Sequence, residues 1–146
     1  MNGIVLYKSR YGATQQYADW IAETLRLPVI DPERFDDRIL AVCDFLLIGS
    51  SVYFGQLLIK DWLKKNEQYL KGKKLFLFIV YAPSPDGDKQ DQIIQDNIPD
   101  AVRAAADIVF LPGRWITQTI FLMDGVKKEN IEGLLMAVRS FVSRTA

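Results

Sequence analysis

The sequence predicts an α/β fold: a doubly wound, five-stranded parallel sheet with helices on both faces. Short runs rich in branched and aromatic residues are continuously apolar, which is typical of strands buried on both faces. Helical patterns separate these runs, and strands that alternate with helices form right-handed βαβ units. The chain has 146 residues, 49% of them hydrophobic, which suits one domain over residues 1–146.

The predicted elements follow one another along the chain. The predicted strands are residues 3–7, 27–31, 44–49, 74–82 and 107–112. Helical patterns cover residues 14–26, 57–70, 89–106 and 128–143. Pro28 fits an edge strand, because proline has no N–H for the ladder, and Pro99 is expected to break the third helix. Residues 32–43 join the edge strand to the next strand and are expected to hold a short helix.

The composition excludes several kinds of chemistry. Eighteen basic and 18 acidic residues give a net charge of zero, which argues against a nucleic-acid-binding protein. The chain has no histidine, so a Ser-His-Asp triad and a Cys-His pair are excluded, and the commonest metal ligand is missing. The single cysteine, Cys43, cannot form an intramolecular disulfide or a Cys-rich zinc site. We expect Cys43 to be buried and no metal to be bound.

No segment looks like a signal peptide or a membrane span. The first residues lack a charged region followed by a long apolar stretch. The longest strongly apolar run, residues 75–82, is far too short to cross a bilayer. The expectation is a cytoplasmic protein without a transmembrane segment.

The first predicted strand leads into a loop with the sequence SRYGAT, residues 9–14. In doubly wound sheets the ligand lies beyond the carboxyl ends of the strands, so such loops carry the site. Gly12 allows a close approach of the backbone, and Thr14 is expected to be the N-cap of the next helix. Exposed N–H groups with hydroxyls nearby form an anion site that fits a phosphate monoester. The alternative is an ordinary strand-to-helix turn, and Arg10 either adds charge or points to solvent.

The second loop, GSSVYFGQ at residues 49–56, places two adjacent aromatic residues after a buried strand. Stacking of Tyr53 and Phe54 on a planar ligand would explain an aromatic pair in a loop. The alternative is that one ring packs under the following helix. The third loop, APSPDGD at residues 82–88, is rich in turn residues. Neither the Walker A motif nor G-x-G-x-x-G is present in the first loop.

These residues resemble the flavodoxin family, which binds FMN non-covalently. The family's [ST]-x-T-G-x-T loop is matched by residues 9–14, with Tyr11 in place of a hydroxyl residue that usually helps to bind phosphate. The segments SRYGAT, YADWIAETL, IGSSVYFGQ and FLPGRW are more similar to the flavodoxin-domain branch that includes menaquinone-dependent protoporphyrinogen dehydrogenase. The resemblance covers nearly the whole chain and implies the strand order 2-1-3-4-5.

The resemblance implies FMN as the cofactor and no catalytic residue of the chain's own, because the flavin supplies the redox chemistry. Its phosphate would lie against the first loop, formed by Ser9, Arg10, Tyr11, Gly12, Ala13 and Thr14. Its ring would be lined by Ser50, Ser51, Val52, Tyr53, Phe54 and Gly55. The third loop would close the site with Ala82, Pro83, Ser84 and Gly87. The Gly55–Gln56 peptide is a candidate to reorient toward the flavin.

The implied function is electron transfer or flavin-dependent oxidoreduction, with a redox partner protein, a small molecule or a quinone as partner, in a monomer or a homodimer. One alternative is a binding or regulatory module without redox activity; another is an enzyme similar to protoporphyrinogen dehydrogenase. A phosphoacceptor receiver domain is set aside, since the first strand ends in Tyr7, Lys8 and Ser9 rather than in acidic residues. The apolar segment 115–126 is expected to be buried rather than to contact a hydrophobic partner.

Overall fold

A parallel sheet forms the centre of the structure, a computed structural model that describes residues 1–82, 85–117 and 119–145. Its five strands are β1 (Gly3–Lys8), β2 (Val29–Ile30), β3 (Phe45–Tyr53), β5 (Lys74–Tyr81) and β6 (Ala106–Pro112). They lie in the order β2-β1-β3-β5-β6, and each neighbouring pair is parallel. When only these five parallel strands are numbered in chain order, their order in the sheet is 2-1-3-4-5, so the predicted doubly wound sheet is confirmed.

Helices cover both faces of the sheet. They are α1 (Ala13–Leu25), α2 (Asp37–Val42), α3 (Lys60–Lys65), α4 (Glu67–Leu70), α5 (Gly87–Asn97), α6 (Asp100–Ala105) and α7 (Glu132–Thr145), with 3-10 turns at Pro32–Arg34 and Lys128–Ile131. Helices α1 and α7 pack on one face, while α2 to α6 pack on the other. The helix pattern at 89–106 is broken at Pro99, as predicted, because proline interrupts the hydrogen-bond ladder.

The central stretches of the strands are continuously apolar because both faces of the sheet are covered. Along β5, Phe76 and Phe78 belong to the core beneath α1 and α7, whereas Leu75 and Leu77 belong to the core on the opposite face. All four side chains are buried. Cys43 is buried as well, as predicted from its apolar character.

The second loop differs from its prediction, since the chain forms a hairpin where a helix was expected to begin. Strand β3 continues to Tyr53, and a short strand β4 (Gln56–Leu57) folds back on it in antiparallel pairing. The predicted helix over 57–70 therefore starts only at Lys60 and is divided into α3 and α4. Leu57, the first residue of the predicted helix, is instead buried in the hairpin.

An arm of two short strands projects after β6, and its expected burial is wrong. Strands β7 (Arg114–Ile116) and β8 (Leu122–Asp124) pair with each other in a separate two-stranded sheet. The large apolar side chains of the arm that are exposed are Ile116, Ile120, Phe121, Leu122 and Met123. The facing edges of β7 and β8 pair with each other, and neither strand pairs with the main sheet in the described ranges.

None of the helices in the described ranges is both long enough and apolar enough to cross a membrane.

Candidate functional site

The first loop turns directly into α1 at a glycine. Gly12 has a φ of 90° and is the residue that caps the helix, so α1 begins at Ala13. The expectation that Thr14 is the N-cap is wrong, because Thr14 already lies within the first turn. Ser9 Oγ accepts a hydrogen bond from the Gly12 N–H at 3.1 Å, which holds the loop closed. Since Gly12 has no side chain to cap the helix, first-turn N–H groups are left to bind an anion.

The hydroxyl of Thr14 is used to join the first loop to the second. Thr14 is fully buried, and its Oγ1 lies 2.6 Å from Oγ of Ser51 at the end of β3. Each hydroxyl can donate or accept, and their mutual hydrogen bond uses one of the two protons, so the pair can turn the other proton toward an oxygen anion placed nearby. The two loops that were predicted to form one site are therefore in direct contact.

The second loop is a tight hairpin turn. Val52 pairs with Leu57 across it, and Phe54 and Gly55 at its tip have φ values of 51° and 74°. Two successive residues with positive φ are typical of a type I′ turn, which matches the twist of the flanking strands. The turn sets the direction in which the adjacent Tyr53 side chain leaves the strand.

A buried asparagine on α5 holds this hairpin in place. Asn97 is 2% exposed; its Oδ1 accepts a hydrogen bond from Leu57 N at 3.0 Å, and its Nδ2 donates to Gly55 O at 3.0 Å and to Ile93 O at 2.9 Å. Reorientation of the Gly55–Gln56 peptide would break the bond to the Gly55 carbonyl. The sequence analysis missed Asn97, since a lone amide in a polar helix carries no signal of its contacts.

Ser50 supports the same loop from inside. It is buried, its hydroxyl donates to Ser51 O at 2.9 Å, and its Oγ accepts a hydrogen bond from Ile59 N at 3.2 Å. Both partners are backbone groups, so the Ser50 hydroxyl is engaged in shaping the turn. Its predicted contact with a flavin ring stays a prediction.

Three exposed aromatic residues and one arginine from the two loops form one rim, made of Arg10, Tyr11, Tyr53 and Phe54. The Arg10 guanidinium lies 3.8 Å from the centroid of the Tyr53 ring, and its Nε donates to the Tyr11 hydroxyl at 2.9 Å. The rings of Tyr53 and Phe54 meet edge to face with centroids 4.5 Å apart. Tyr53 and Phe54 are 38% and 86% exposed, so neither ring of the pair is buried under the next helix. The cation–π contact with Tyr53 holds Arg10 on this rim.

A cleft of about 190 Å³ opens beside this rim at the carboxyl ends of β3, β5 and β6. Its lining residues are Tyr11, Ala13, Ser51, Val52, Val80, Ala82, Gly113 and Arg114. Five of them belong to the predicted site, whereas Val80, Gly113 and Arg114 do not. The loop after the last strand of the sheet was a signal that could have found Gly113 and Arg114, because every such loop borders this edge. Pro83 and Ser84 lie outside the described residues, and Gly87 begins α5 away from the cleft lining.

A hydrogen-bond network joins α1 to the base of the arm. The Tyr17 hydroxyl donates to Pro112 O at 2.6 Å and accepts from Asn130 Nδ2, which also donates to Gly125 O at 2.8 Å. Burial is the main cause that raises the pKa of Tyr17, so its hydroxyl stays protonated as the donor. The helix behind the first loop and the wall of the cleft are thus held to each other.

The fold and the cleft define a class: a doubly wound α/β domain with a ligand site at the carboxyl edge of its sheet, next to the start of the first helix. A family model described as "Flavodoxin domain" matches residues 4–131, and the chain belongs to that family. In a sequence comparison, no curated protein matches the chain.

Solved structures share the same architecture at low sequence identity. Flavodoxin 2 from Bacillus cereus has a TM-score of 0.63 and 17% identity, with 99% of each chain covered. Flavodoxin 1 from Bacillus cereus has a TM-score of 0.61 and 20% identity, with 98% of each chain covered. A flavoprotein from Lactobacillus acidophilus NCFM, solved in complex with FMN, has a TM-score of 0.51 and 16% identity, over 76% of this chain and 91% of its own. These similarities show the shared fold.

Proposed function

We propose that the chain binds FMN in the cleft between the first two loops and acts as a flavin-dependent redox protein. The observation that carries this proposal is the pair of hydroxyls, Thr14 and Ser51, which meet at the start of α1 in a member of the flavodoxin domain family. A helix start with uncapped N–H groups and two adjacent hydroxyls has the donors that a phosphate monoester requires. The FMN complex of the Lactobacillus acidophilus flavoprotein supports the choice of flavin.

The residues of the first loop fit the phosphate group. The position that a Cβ would take at Gly12 has no atom within 4 Å, so a ligand can approach the backbone there. The Thr14–Ser51 pair would donate to the phosphate the one hydroxyl proton that its mutual hydrogen bond leaves free, and the backbone N–H groups of the first turn would complete the cradle. The exposed rings of Tyr53 and Phe54 would flank the flavin ring.

When bound, FMN supplies the transfer of electrons or hydride. The chain contributes binding, orientation and the exclusion of water by the apolar wall of Val52, Val80 and Ala82. The hydrogen bonds of Asn97 fix the turn that carries the aromatic pair, so the ring would meet a preformed surface. A cytoplasmic location and a protein or quinone redox partner belong to the same proposal.

A second candidate function is that of an enzyme similar to protoporphyrinogen dehydrogenase, with the same cofactor and a dedicated apolar substrate. The arm favours this candidate, because its exposed apolar side chains begin directly at the cleft wall, two residues after Arg114. Phe121 and Leu122 are 67% and 71% exposed, and apolar surface of this kind usually marks contact with a ligand or partner. Removing the apolar tip with Phe121→Ser and Leu122→Ser should then raise the KM for the apolar substrate and leave FMN binding unchanged.

The proposal is tested by titrating the purified apoprotein with FMN, riboflavin and FAD while following flavin fluorescence and the visible spectrum. We expect FMN to bind in the micromolar range or tighter, and riboflavin to bind more weakly because it lacks the phosphate. If no flavin binds at micromolar concentrations, the redox function fails, and the chain is a binding or regulatory module that has kept the fold.

Replacing Thr14 by alanine is expected to weaken FMN binding roughly tenfold, because a hydrogen bond to a charged group contributes about 1.5–3 kcal/mol. Riboflavin binding should change little. Thr14→Ser restores the hydroxyl and should restore most of the affinity. The matched control is Thr24→Ala, the same substitution at the far end of α1. Equal FMN affinity for the Thr14 and Thr24 variants would show that Thr14 does not bind the phosphate.

A further inference from the structure

We propose that Arg114 supplies the positive charge that binds the flavin phosphate, and that it thereby makes the cleft selective for a phosphorylated flavin. This inference rests on the proposed function. Arg114 shares the cleft lining with Ala13 at the start of α1 and with Ser51 of the hydroxyl pair. Arg114 lies 100 residues after the first loop and was not among the predicted site residues, although the segment FLPGRW that contains it was part of the family resemblance.

Arg114 is held at the cleft by an ion pair across the arm. Its Nε lies 3.2 Å from Oδ1 of Asp124, its register partner on β8. Asp124 is itself fixed, because its Oδ1 accepts a hydrogen bond from Val126 N at 2.9 Å. That backbone bond is the main cause that lowers the pKa of Asp124, and the charge of Arg114 adds to it. The contact of the ion pair is made through Nε, and the proposed ligand would be bound through the two terminal nitrogens of the guanidinium.

The backbone beneath Arg114 is also anchored. Gly113 N donates to Tyr81 O at 3.1 Å, and Gly125 N donates to Gly113 O at 3.0 Å. A Cβ placed on Gly113 would lie 3.2 Å from Cβ of Ala82 and 3.3 Å from Cγ1 of Val80, two other residues of the cleft lining, so the backbone packs closely there. The wall from which the Arg114 side chain extends therefore has a fixed position relative to the ends of β5 and β6.

Arg10, the cation of the first loop, is engaged elsewhere. Its guanidinium lies over the Tyr53 ring, its Nε donates to Tyr11, and it does not line the cleft. Arg114, in contrast, already lines the cleft, and its contact with Asp124 is made through Nε.

A guanidinium suits a phosphate because its planar array of N–H groups can donate two parallel hydrogen bonds to two phosphate oxygens. Riboflavin has no such group, so its binding should not depend on Arg114. The Asp124 carboxylate offsets part of the charge, and the side chain of Arg114 is 34% exposed, so screening by solvent reduces the effect. We therefore expect the loss of Arg114 to weaken FMN binding roughly tenfold, near the lower end of the range for a hydrogen bond to a charged group.

The test compares the dissociation constants of FMN and riboflavin for the full-length wild type and for Arg114→Gln, with thermal unfolding as the check on folding. The expected result is a roughly tenfold loss of the preference for FMN over riboflavin in Arg114→Gln. Arg114→Lys should keep part of the preference, and Arg10→Gln should lose less of it than Arg114→Gln. The matched control is Arg38→Gln, which removes an exposed arginine paired with Asp36 outside the cleft.

An unchanged preference in Arg114→Gln, or an equal loss for FMN and riboflavin, overturns the inference while the wild-type preference for FMN still supports the proposed function. A larger loss in Arg10→Gln than in Arg114→Gln also overturns it and assigns the charge to the first loop. If the wild type binds neither flavin, the proposed function fails and the inference fails with it.

Discussion

Replacing Asn97 by alanine is expected to lower the free energy of unfolding by about 3 kcal/mol and to weaken flavin binding. The substitution leaves the N–H of Leu57, a buried residue, without its acceptor, and a buried unpaired donor costs about 1–3 kcal/mol. It also opens a small cavity and releases the Gly55 carbonyl. Denaturant unfolding followed by circular dichroism measures the first effect, and FMN titration measures the second.

The matched control for Asn97 is Asn66→Ala. Asn66 also donates its Nδ2 to the carbonyl of the residue four positions earlier, Trp62 O at 2.9 Å, but it does not hold the hairpin. We expect this control to cost about 0.5–1.5 kcal/mol and to leave FMN binding unchanged. If the free energy of unfolding of Asn97→Ala lies within about 0.5 kcal/mol of the wild-type value, the hairpin does not depend on this side chain.

Replacing Phe78 by alanine is expected to lower the free energy of unfolding by about 3–5 kcal/mol, the usual cost of removing a buried aromatic ring. Phe78 is completely buried at the centre of β5, and its register partner on β3 is Gly49. A Cβ placed on Gly49 would overlap the Phe78 ring, so the ring occupies the space that a side chain on β3 would otherwise fill. Urea unfolding at 25 °C gives the free energies for this comparison.

The pairing of Gly49 with Phe78 makes a double-mutant cycle the sharpest control. In the wild-type background, Gly49→Ala should destabilise by about 1–3 kcal/mol, because the methyl group has no room. In the Phe78→Ala background the same change should cost little, because the methyl enters the cavity. Gly133→Ala on the exposed side of α7 meets no atom within 4 Å and should be stabilising. Equal costs of Gly49→Ala in both backgrounds would contradict the pairing.

The sheet could be predicted from the sequence because its signal is local. Continuous apolar runs such as residues 74–82 indicate strands covered on both faces, and the helical patterns between them determine the crossovers. The same reasoning placed the loops after the strands at one edge, and the structure brings Thr14 and Ser51 together there. The family resemblance added the strand order, which the structure has.

The features that could not be predicted depend on contacts between distant parts of the chain. Thr14 resembles a helix cap, but the positive φ of Gly12 starts the helix earlier and turns the threonine toward β3. Asn97 is an ordinary polar residue in α5 until the hairpin is folded against it. The arm was expected to be buried because it is apolar, yet its two strands pair with each other and leave Leu122 exposed. Arg114 reaches the cleft only through that arm.

The proposed function requires that a phosphorylated flavin binds where the first helix begins, between the first two loops. The most direct measurement is a titration of ¹⁵N-labelled protein with FMN, followed by the amide chemical shifts. We expect the largest shifts on residues 12–14 and 53–56 and at Arg114, whereas riboflavin should leave residues 12–14 nearly unchanged. Shifts concentrated elsewhere, for example in the groove between Met1, Leu25 and Val142, or no shifts at all, would contradict it.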